Sequence, residues 1–282
     1  MSSPAPDDGG GGRRGRPAAR RRADVVAVEQ ALAPTREKVR VLILAGEVWC
    51  GERRVDKPAD LLPAGAVLVL RPRRARFVGR GGEKLDGALA RLGIDPRGAL
   101  VWDIGASTGG FTDCLLRRGA ARVVAADVGR AQLDASLRAD PRVEAREGLN
   151  ARHLRPGDLP GPPALVVIDV SFISLAKIVP AVAAAAPGAE VVALVKPQFE
   201  AGRGRVGRGG VVRDPALQEE VLRGVCARSE GWGLRVTAIV ESPLRGAKGN
   251  REFFVRWTPA ASGPAGALDV ERAIREAVHG GE

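Results

Sequence analysis

Four charged side chains, Lys84, Asp169, Lys196 and Glu252, stand at the ends of elements that the sequence pattern predicts. Lys196 follows the apolar run Val191-Val192-Ala193-Leu194-Val195, and Asp169 follows Ala164-Leu165-Val166-Val167-Ile168. A full charge at the end of a buried strand is either solvated at a sheet edge or at work in a cleft, because charges are almost never buried without a partner. Two amines and two carboxylates gathered in one place can hold and move a proton. A lysine serves as a base only when its pKa falls. Desolvation and a neighbouring ammonium push that way, and nearby carboxylates push back. The pattern therefore assigns Lys196 as the base, Lys84 as the cationic neighbour, and Asp169 and Glu252 as the groups that orient the two amines. The competing reading leaves Lys196 and Glu252 as solvated strand-end charges.

The stretch Asp103-Ile104-Gly105-Ala106-Ser107-Thr108-Gly109-Gly110-Phe111 lies between a predicted strand and a predicted helix. Glycines let the backbone turn tightly and approach a ligand, and a helix N-terminus follows. The order is not the G-x-G-x-x-G of a dinucleotide site, and no G-K-[ST] follows as in a P-loop. Asp127, 24 residues after Asp103, ends the next strand and can accept the hydroxyls of a ribose. An acid just before the turn repels a pyrophosphate and welcomes a cationic amino-acid end. These features favour S-adenosylmethionine over NAD or ATP. The candidate cofactor contacts are Asp103, Gly105, Ala106, Ser107, Gly109, Gly110, Asp127 and Asn150. In an open parallel sheet ligands bind outside the carboxyl ends of the strands, so Asp103, Asp127, Asp169 and Lys196 share one rim. Glu252 joins them if the last strand runs antiparallel. A ribose 2′-hydroxyl attacking a sulfonium methyl needs its proton removed and in-line placement, which is work for such a quartet.

The charge points to a polyanion. Forty-four Lys and Arg against 33 Asp and Glu give +11 over 282 residues. The arginines cluster in an N-terminal arm, in Arg71, Arg73, Arg74, Arg76 and Arg80, and in Arg203, Arg205, Arg208 and Arg213. Guanidinium forks suit phosphate oxygens. Candidate nucleic-acid contacts are Arg22, Arg36, Lys38, Arg40, Arg73, Arg74 and Arg76. Aromatic residues make up 4% with no Tyr, which argues against stacking platforms as the main grip. Three dispersed cysteines, Cys50, Cys114 and Cys226, argue against disulfides and structural zinc, and for the reducing cytoplasm. His153 and His279 are expected at the surface without a paired acid, and no metal constellation is visible. Ser171 and Ser174 are expected to cap the helix that follows Asp169. No apolar run reaches the length of a membrane helix, so no membrane partner is expected.

The pattern divides the chain into a disordered basic arm (1–21), a small two-helix and sheet unit (22–70), an Arg- and Gly-rich linker (71–82), an alternating strand–helix region (83–258) and a tail with a short helix (259–282). In the small unit Thr35 is expected to cap a helix, and Glu47–Val55 to form a hairpin. Beyond the linker, strands are expected at Leu100–Trp102, Arg122–Ala126, Val143–Ala145, Ala164–Ile168, Val191–Val195, Val236–Val240 and Phe253–Trp257. Helices are expected at Leu85–Leu92, Phe111–Arg118, Ala131–Leu137, Ile178–Ala186, Pro215–Ser229 and Leu268–Val278. That alternation predicts an α/β fold with a mostly parallel sheet covered on both faces.

Five motifs in order resemble the haemolysin A (TlyA) family: Arg80-Gly81-Gly82-x-Lys84-Leu85, Asp103 to Asp113, Asp169-Val170-Ser171-Phe172-Ile173-Ser174, Leu194-Val195-Lys196-Pro197-Gln198-Phe199-Glu200, and Gly249-Asn250-Arg251-Glu252-Phe253. The resemblance spans about residues 22–258. It implies a Rossmann-like seven-stranded FtsJ-type methyltransferase domain preceded by an α+β S4 RNA-binding domain. It also implies a Lys-Asp-Lys-Glu tetrad on Lys84, Asp169, Lys196 and Glu252. The activity implied is 2′-O-methylation of cytidine in small- and large-subunit ribosomal RNA, with S-adenosylmethionine as cofactor. Two positions depart from the family: Arg22-Ala23-Asp24 replaces Arg-Leu-Asp or Arg-Val-Asp, and Val48-Trp49-Cys50-Gly51 lacks the usual hairpin Asn. The S4 start and the extra C-terminal helix resemble the branch acting on both subunits. A methyltransferase of a non-RNA substrate would leave the arginine clusters unexplained. A non-catalytic ribosome-binding or assembly factor would leave the quartet unexplained.

Overall fold

Apolar runs of four to eight residues separated by helices assemble as the alternation requires. The computed structural model describes residues 20–44, 46–71, 76–202, 204–207, 209–262 and 268–280. Most of the basic arm, and Arg73, Arg74, Arg203 and Arg208, lie outside the described residues. The chain divides into two units, Met1–Ala75 and Arg76–Glu282.

The smaller unit holds β1 (Arg21–Arg22), α1 (Ala23–Glu29), α2 (Arg36–Leu44), β2 (Val48–Cys50), β3 (Arg53–Arg54), β4 (Leu61–Leu62) and β5 (Leu68–Leu70). β2 forms the expected hairpin with β3 and pairs antiparallel with β5; β1 pairs with β4, which the sequence pattern did not reveal. Ala23, Ala27, Val39, Ile43 and Val48 are almost fully buried in a core of the unit's own. Thr35 caps α2, its Oγ1 accepting from the Lys38 amide at 3.3 Å.

The larger unit runs α3 (Arg80–Leu92), β6 (Leu100–Ile104), α4 (Gly110–Arg117), β7 (Arg122–Asp127), α5 (Ala135–Arg138), β8 (Val143–Glu147), β9 (Leu165–Ile168), α6 (Val179–Ala185), β10 (Glu190–Val195), α7 (Pro197–Glu200), α8 (Pro215–Ala227), β11 (Leu234–Glu241), β12 (Phe253–Pro259) and α9 (Val270–His279). The seven strands form one sheet in the order β11-β12-β10-β9-β6-β7-β8, with β12 antiparallel to both of its neighbours and the other pairs parallel. Core clusters cover both faces: one gathers α6, α8 and α9, the other α3 and α4. Cys114 and Cys226 lie inside these layers, where burial pushes both thiols up to about 12; Cys50 is half-buried in the smaller unit.

Two expectations need correction. The sequence pattern sets Lys84 before a helix, with Gly81 and Gly82 in a linker. Instead α3 begins at Arg80 and takes both glycines into its first turn. The reason is packing. A Cβ on Gly82 would lie 2.4 Å from Phe77 Cβ and 2.8 Å from the Gly110 carbonyl, so only glycine lets α3 meet α4 this closely. Leu85 and Leu89 are fully buried and anchor the helix, at about 1.5–3 kcal/mol each. The helix expected over Ala131–Leu137 shrinks to Ala135–Arg138. Ala131 is left-handed at φ 54°, its amide is taken by Glu147 Oε1, and Asp134 restarts the helix by capping Ser136.

Candidate active site

Strand register puts the quartet on one rim. In the antiparallel β10–β12 pair Val195 faces Phe253, so Lys196, one residue past β10, and Glu252, one residue before β12, flank the same end of the pair. The parallel β6–β9 register sets Ile104 beside Ile168, so Gly105 and Asp169 leave the sheet together. A Cβ on Gly105, which sits at φ 87°, would lie 2.4 Å from the Asp169 carbonyl. α3 closes the group from the side: a Cβ on Gly81 would lie 3.9 Å from Asp169 Oδ2.

Two ion pairs result. Lys84 Nζ donates to Glu252 Oε2 at 2.6 Å, with side chains 11% and 3% exposed. Lys196 Nζ stands 2.6 Å from Asp169 Oδ1, with side chains 10% and 22% exposed. That second contact is an ion contact rather than a directed bond. Asp169 Oδ1 accepts no aligned hydrogen bond, and the amine instead donates to Ser171 Oγ at 2.9 Å. The role expected of Ser171 as a helix cap is thus corrected: it turns to the Lys196 amine, and Ser174 alone caps, accepting from the Ala176 amide at 3.2 Å.

Two adjoining hollows meet here. A cavity of about 580 Å³ is lined by Ile104, Gly105, Ser107, Asp127, Asn150, Asp169 and Ile173, among others. A second, of about 220 Å³, is lined by Arg80, Gly81, Ala106, Gly110, Asp169 and Lys196, among others. Gly105, Ser107, Asp169 and Ser171 belong to both walls.

The turn explains its own glycines. Gly109 is at φ 98°, and a Cβ there would lie 2.2 Å from Leu137 Cδ1. Gly110 opens α4 against the amide of Gly82. Ser107 takes a left-handed φ of 50°, and its amide donates to Asp127 Oδ2 at 2.8 Å, while the Gly129 amide donates to Oδ1 at 2.7 Å. The Asp127 carboxylate is thereby locked on the wall of the larger cavity with lone pairs to spare. Asn150, also in the cavity wall, has its Oδ1 held by the Arg152 amide at 3.1 Å. A locked acid and a cradle that a Cβ would fill fit a nucleoside with a cationic amino-acid tail.

Asp103 stands apart from its expected place. It belongs to β6, is 0% exposed, and its Oδ2 accepts from Thr112 Oγ1 at 2.6 Å while Oδ1 has no partner. Burial, and then the nearby Asp169 and Asp127 charges, push its carboxyl up to about 7 against the opposing Thr112 bond. It supports the turn from behind.

Of the candidate RNA contacts, Arg22 and Arg36 converge on one carboxylate. Arg22 Nε and Nη2 each lie 3.0 Å from Asp24, and Arg36 Nη2 2.8 Å. Asp24 is 1% exposed, and the Arg22 bond leads the causes that bring its carboxyl down to about 2. Both guanidiniums remain about half exposed, held rigid by a buried acid that sequence reasoning did not single out. Lys38 and Arg40 are exposed on α2. Arg76 pairs with Asp86 and lies over the Phe77 ring at 5.1 Å. His279 also departs from expectation, since its Nε2 meets Glu219 Oε1 at 2.7 Å.

One aromatic missed by counting composition is Phe172, left-handed at φ 63° and 90% exposed. It lines the larger cavity, its ring 5.0 Å from that of Phe199, over which Lys196 Nζ lies at 6.0 Å. The signal is its place in the motif that begins at Asp169, three residues on.

A mostly parallel seven-stranded sheet with its next-to-edge strand β12 reversed, a glycine turn over a cavity and an acid ending the next strand define an α/β methyltransferase of the Rossmann-like class. The FtsJ-like methyltransferase model matches residues 77–258 and the S4 domain model residues 21–68. The chain belongs to the FtsJ-like methyltransferase family. It is 44% identical over 266 residues to the 16S/23S rRNA (cytidine-2′-O)-methyltransferase TlyA of Mycobacterium tuberculosis, covering 94% of this chain and 99% of that protein. It is 38% identical over 239 residues to the Hemolysin A of Brachyspira hyodysenteriae, covering 84% and 99%. A solved Streptococcus thermophilus protein, described only as a candidate hemolysin, superposes with a TM-score of 0.72 at 42% identity, covering 92% of this chain and 94% of that one. Among the described residues no helix is long and apolar enough to cross a membrane.

Proposed function

We propose that this chain methylates the ribose 2′-hydroxyl of cytidines in the ribosomal RNA of both subunits, in the cytoplasm, using S-adenosylmethionine. The observation that carries the reading is the Lys196–Asp169 pair in the wall shared with a nucleoside-sized cavity, with the Lys84–Glu252 pair on the same rim of the sheet. S-adenosylmethionine, when bound, supplies an electrophilic sulfonium methyl. The chain does the rest. Asp127 and Asn150 hold the nucleoside end, and the turn Gly105–Gly110 leaves room for the amino-acid tail. As the neutral amine, Lys196 Nζ takes the proton of the ribose hydroxyl while that oxygen takes the methyl, with Asp169 and Ser171 fixing the amine's direction and Asp169 facing the ammonium that results. Lys84, held by Glu252, directs its ammonium at the ribose oxygen and steadies the charge that develops there. Phe172 offers an exposed ring to the target base, since every base has a face to stack. Arg22, Arg36, Lys38 and Arg40, with Arg73, Arg74 and Arg76, grip phosphates.

Lys196→Ala tests the assignment. Transfer of tritiated methyl to ribosomal subunits is expected to vanish, while calorimetry shows cofactor affinity within about threefold of wild type, because the cavity wall is intact. Retained turnover removes Lys196 as the base. Filter binding to ribosomal RNA separates this reading from a small-molecule methyltransferase.

A further inference from the structure

The segment Asp169–Ser174 does several tasks at once. Asp169 faces the Lys196 amine, Ser171 accepts from it, and Val170 and Ile173 wall the larger cavity. Yet the segment is thinly held. The Asp169 amide donates to the Ile104 carbonyl at 2.9 Å, but among the described residues the amides of Val170 to Ser174 donate to no backbone carbonyl. Phe172 lies in the left-handed region, which a bulky side chain occupies only when its surroundings impose it.

The far end of the segment is fastened by one carboxylate. Glu200 Oε2 accepts from Ser174 Oγ at 2.6 Å, and Oε1 accepts from the Leu175 amide at 2.7 Å. Glu200 ends α7, and Lys196 is the residue that caps the start of the same four-residue helix. The short helix therefore carries the reacting amine at one end. At its other end it carries the group that fastens the segment bearing that amine's counterion.

We propose that Glu200 is a positioning residue for methyl transfer: by clamping Ser174 and Leu175 it sets Asp169 and Ser171 against the Lys196 amine. The proposal rests on the assignment of Lys196 and Asp169 to the reacting site. Glu200 touches none of the reacting atoms. Its effect passes through geometry, where a misplacement on the order of 1 Å costs about a hundredfold in rate. A carboxamide in its place keeps the shape: Oε1 still accepts from the Leu175 amide, and Nε2 donates to a Ser174 hydroxyl turned to receive it.

The test uses the full chain with unmodified ribosomal subunits and S-adenosylmethionine. Glu200→Ala is expected to lower the single-turnover rate about 10- to 100-fold while the KM for subunits moves less than about threefold. Glu200→Gln is expected to restore the rate to within about fivefold of wild type. Hydrogen exchange of Glu200→Ala should quicken across residues 169–178 and nowhere else in the larger unit. A Glu200→Ala rate within about threefold of wild type overturns the proposal. So does a Gln variant as slow as the Ala variant, or exchange that quickens throughout the unit. If Glu200→Ala does not fold, Ser174→Ala breaks one of the two bonds and is read the same way, a wild-type rate there being fatal. Lys196→Ala runs alongside. An active Lys196→Ala sinks the parent assignment, whereas an inactive one beside a fast Glu200→Ala sinks this inference alone.

Discussion

Gly246, in the turn between β11 and β12, offers a sharp test of the Lys84–Glu252 half of the site. A Cβ built there would lie 1.8 Å from Glu252 Oε1 and 2.4 Å from its carboxyl carbon. The Gly246 backbone is outside the left-handed region, so alanine meets no strain of its own. What must yield is the carboxylate, which has to withdraw by more than about 1 Å to reach ordinary contact distance. The Lys84–Glu252 bond, 2.6 Å long, then passes out of hydrogen-bond range. A charge-assisted bond of this kind is worth about 1.5–3 kcal/mol, offset by the roughly 0.4–1 kcal/mol that alanine contributes by restricting the unfolded chain. The net loss of about 1–2 kcal/mol lowers Tm by only a few degrees. Turnover is hit harder, because Lys84 loses the group that aims it, and about a 10- to 100-fold fall in kcat is expected. Cofactor affinity should stay within about threefold, since other residues form that cavity wall. Single-turnover methyl transfer to ribosomal subunits, calorimetry and a thermal melt read the three quantities. A folded Gly246→Ala protein with wild-type turnover would refute the role given to the pair.

Other perturbations separate the remaining parts. The Asp103 carboxyl titrates near 7 in the fold against 3.8 in its ordinary state, so the native chain holds that proton more tightly. The stability it confers is fully present below about 3.8 and is lost as pH rises towards 7, at up to about 1.4 kcal/mol per pH unit. Asp103→Asn should flatten that slope in urea titrations at successive pH values, and an unchanged slope would contradict the burial argument. Asp24→Asn releases Arg22 and Arg36 from their shared anchor. Ribosomal RNA binding should weaken by about tenfold, and its logarithmic salt slope should shrink by roughly one to two. Equal affinity and slope would remove this pair from the RNA surface. Phe172→Ala should lower kcat/KM for ribosomal subunits by about 5- to 100-fold, the worth of one stacked base, with cofactor affinity unchanged. An unaltered kcat/KM would assign the ring to packing against Phe199.

Much of the fold was legible because buried parallel strands announce themselves as apolar runs. All seven strands of the sheet lie within a few residues of those runs, and the reversal of β12 is what makes Glu252 reachable. Asp169, Lys196 and Glu252 stand out in the sequence because charges at strand ends break the apolar pattern. What escaped was set by contacts between distant segments. Gly81 and Gly82 look like chain breakers until α4 is packed against them, so from sequence Lys84 reads as preceding the helix that contains it. Asp103 reads as a ligand contact from its place beside the glycine turn, but strand alternation turns it inward to Thr112. Ser171 and Glu200 carry no local signal, since each acquires its role from a partner 25 or 26 residues away, and Asp24 becomes an anchor only when Arg36, 12 residues on, joins Arg22 at its carboxylate. Phe172 was hidden by averaging, because a low aromatic content says nothing about where one ring stands.

The thiols have a practical consequence. Reaction with maleimides or oxidants requires an accessible thiolate, and the two in the sheet layers are buried and strongly protonated at neutral pH. Alkylating dyes should therefore attach at Cys50 alone. The natural protein thus comes with one addressable handle for fluorescence in its smaller unit, ready to report on that unit's encounters without any engineered cysteine.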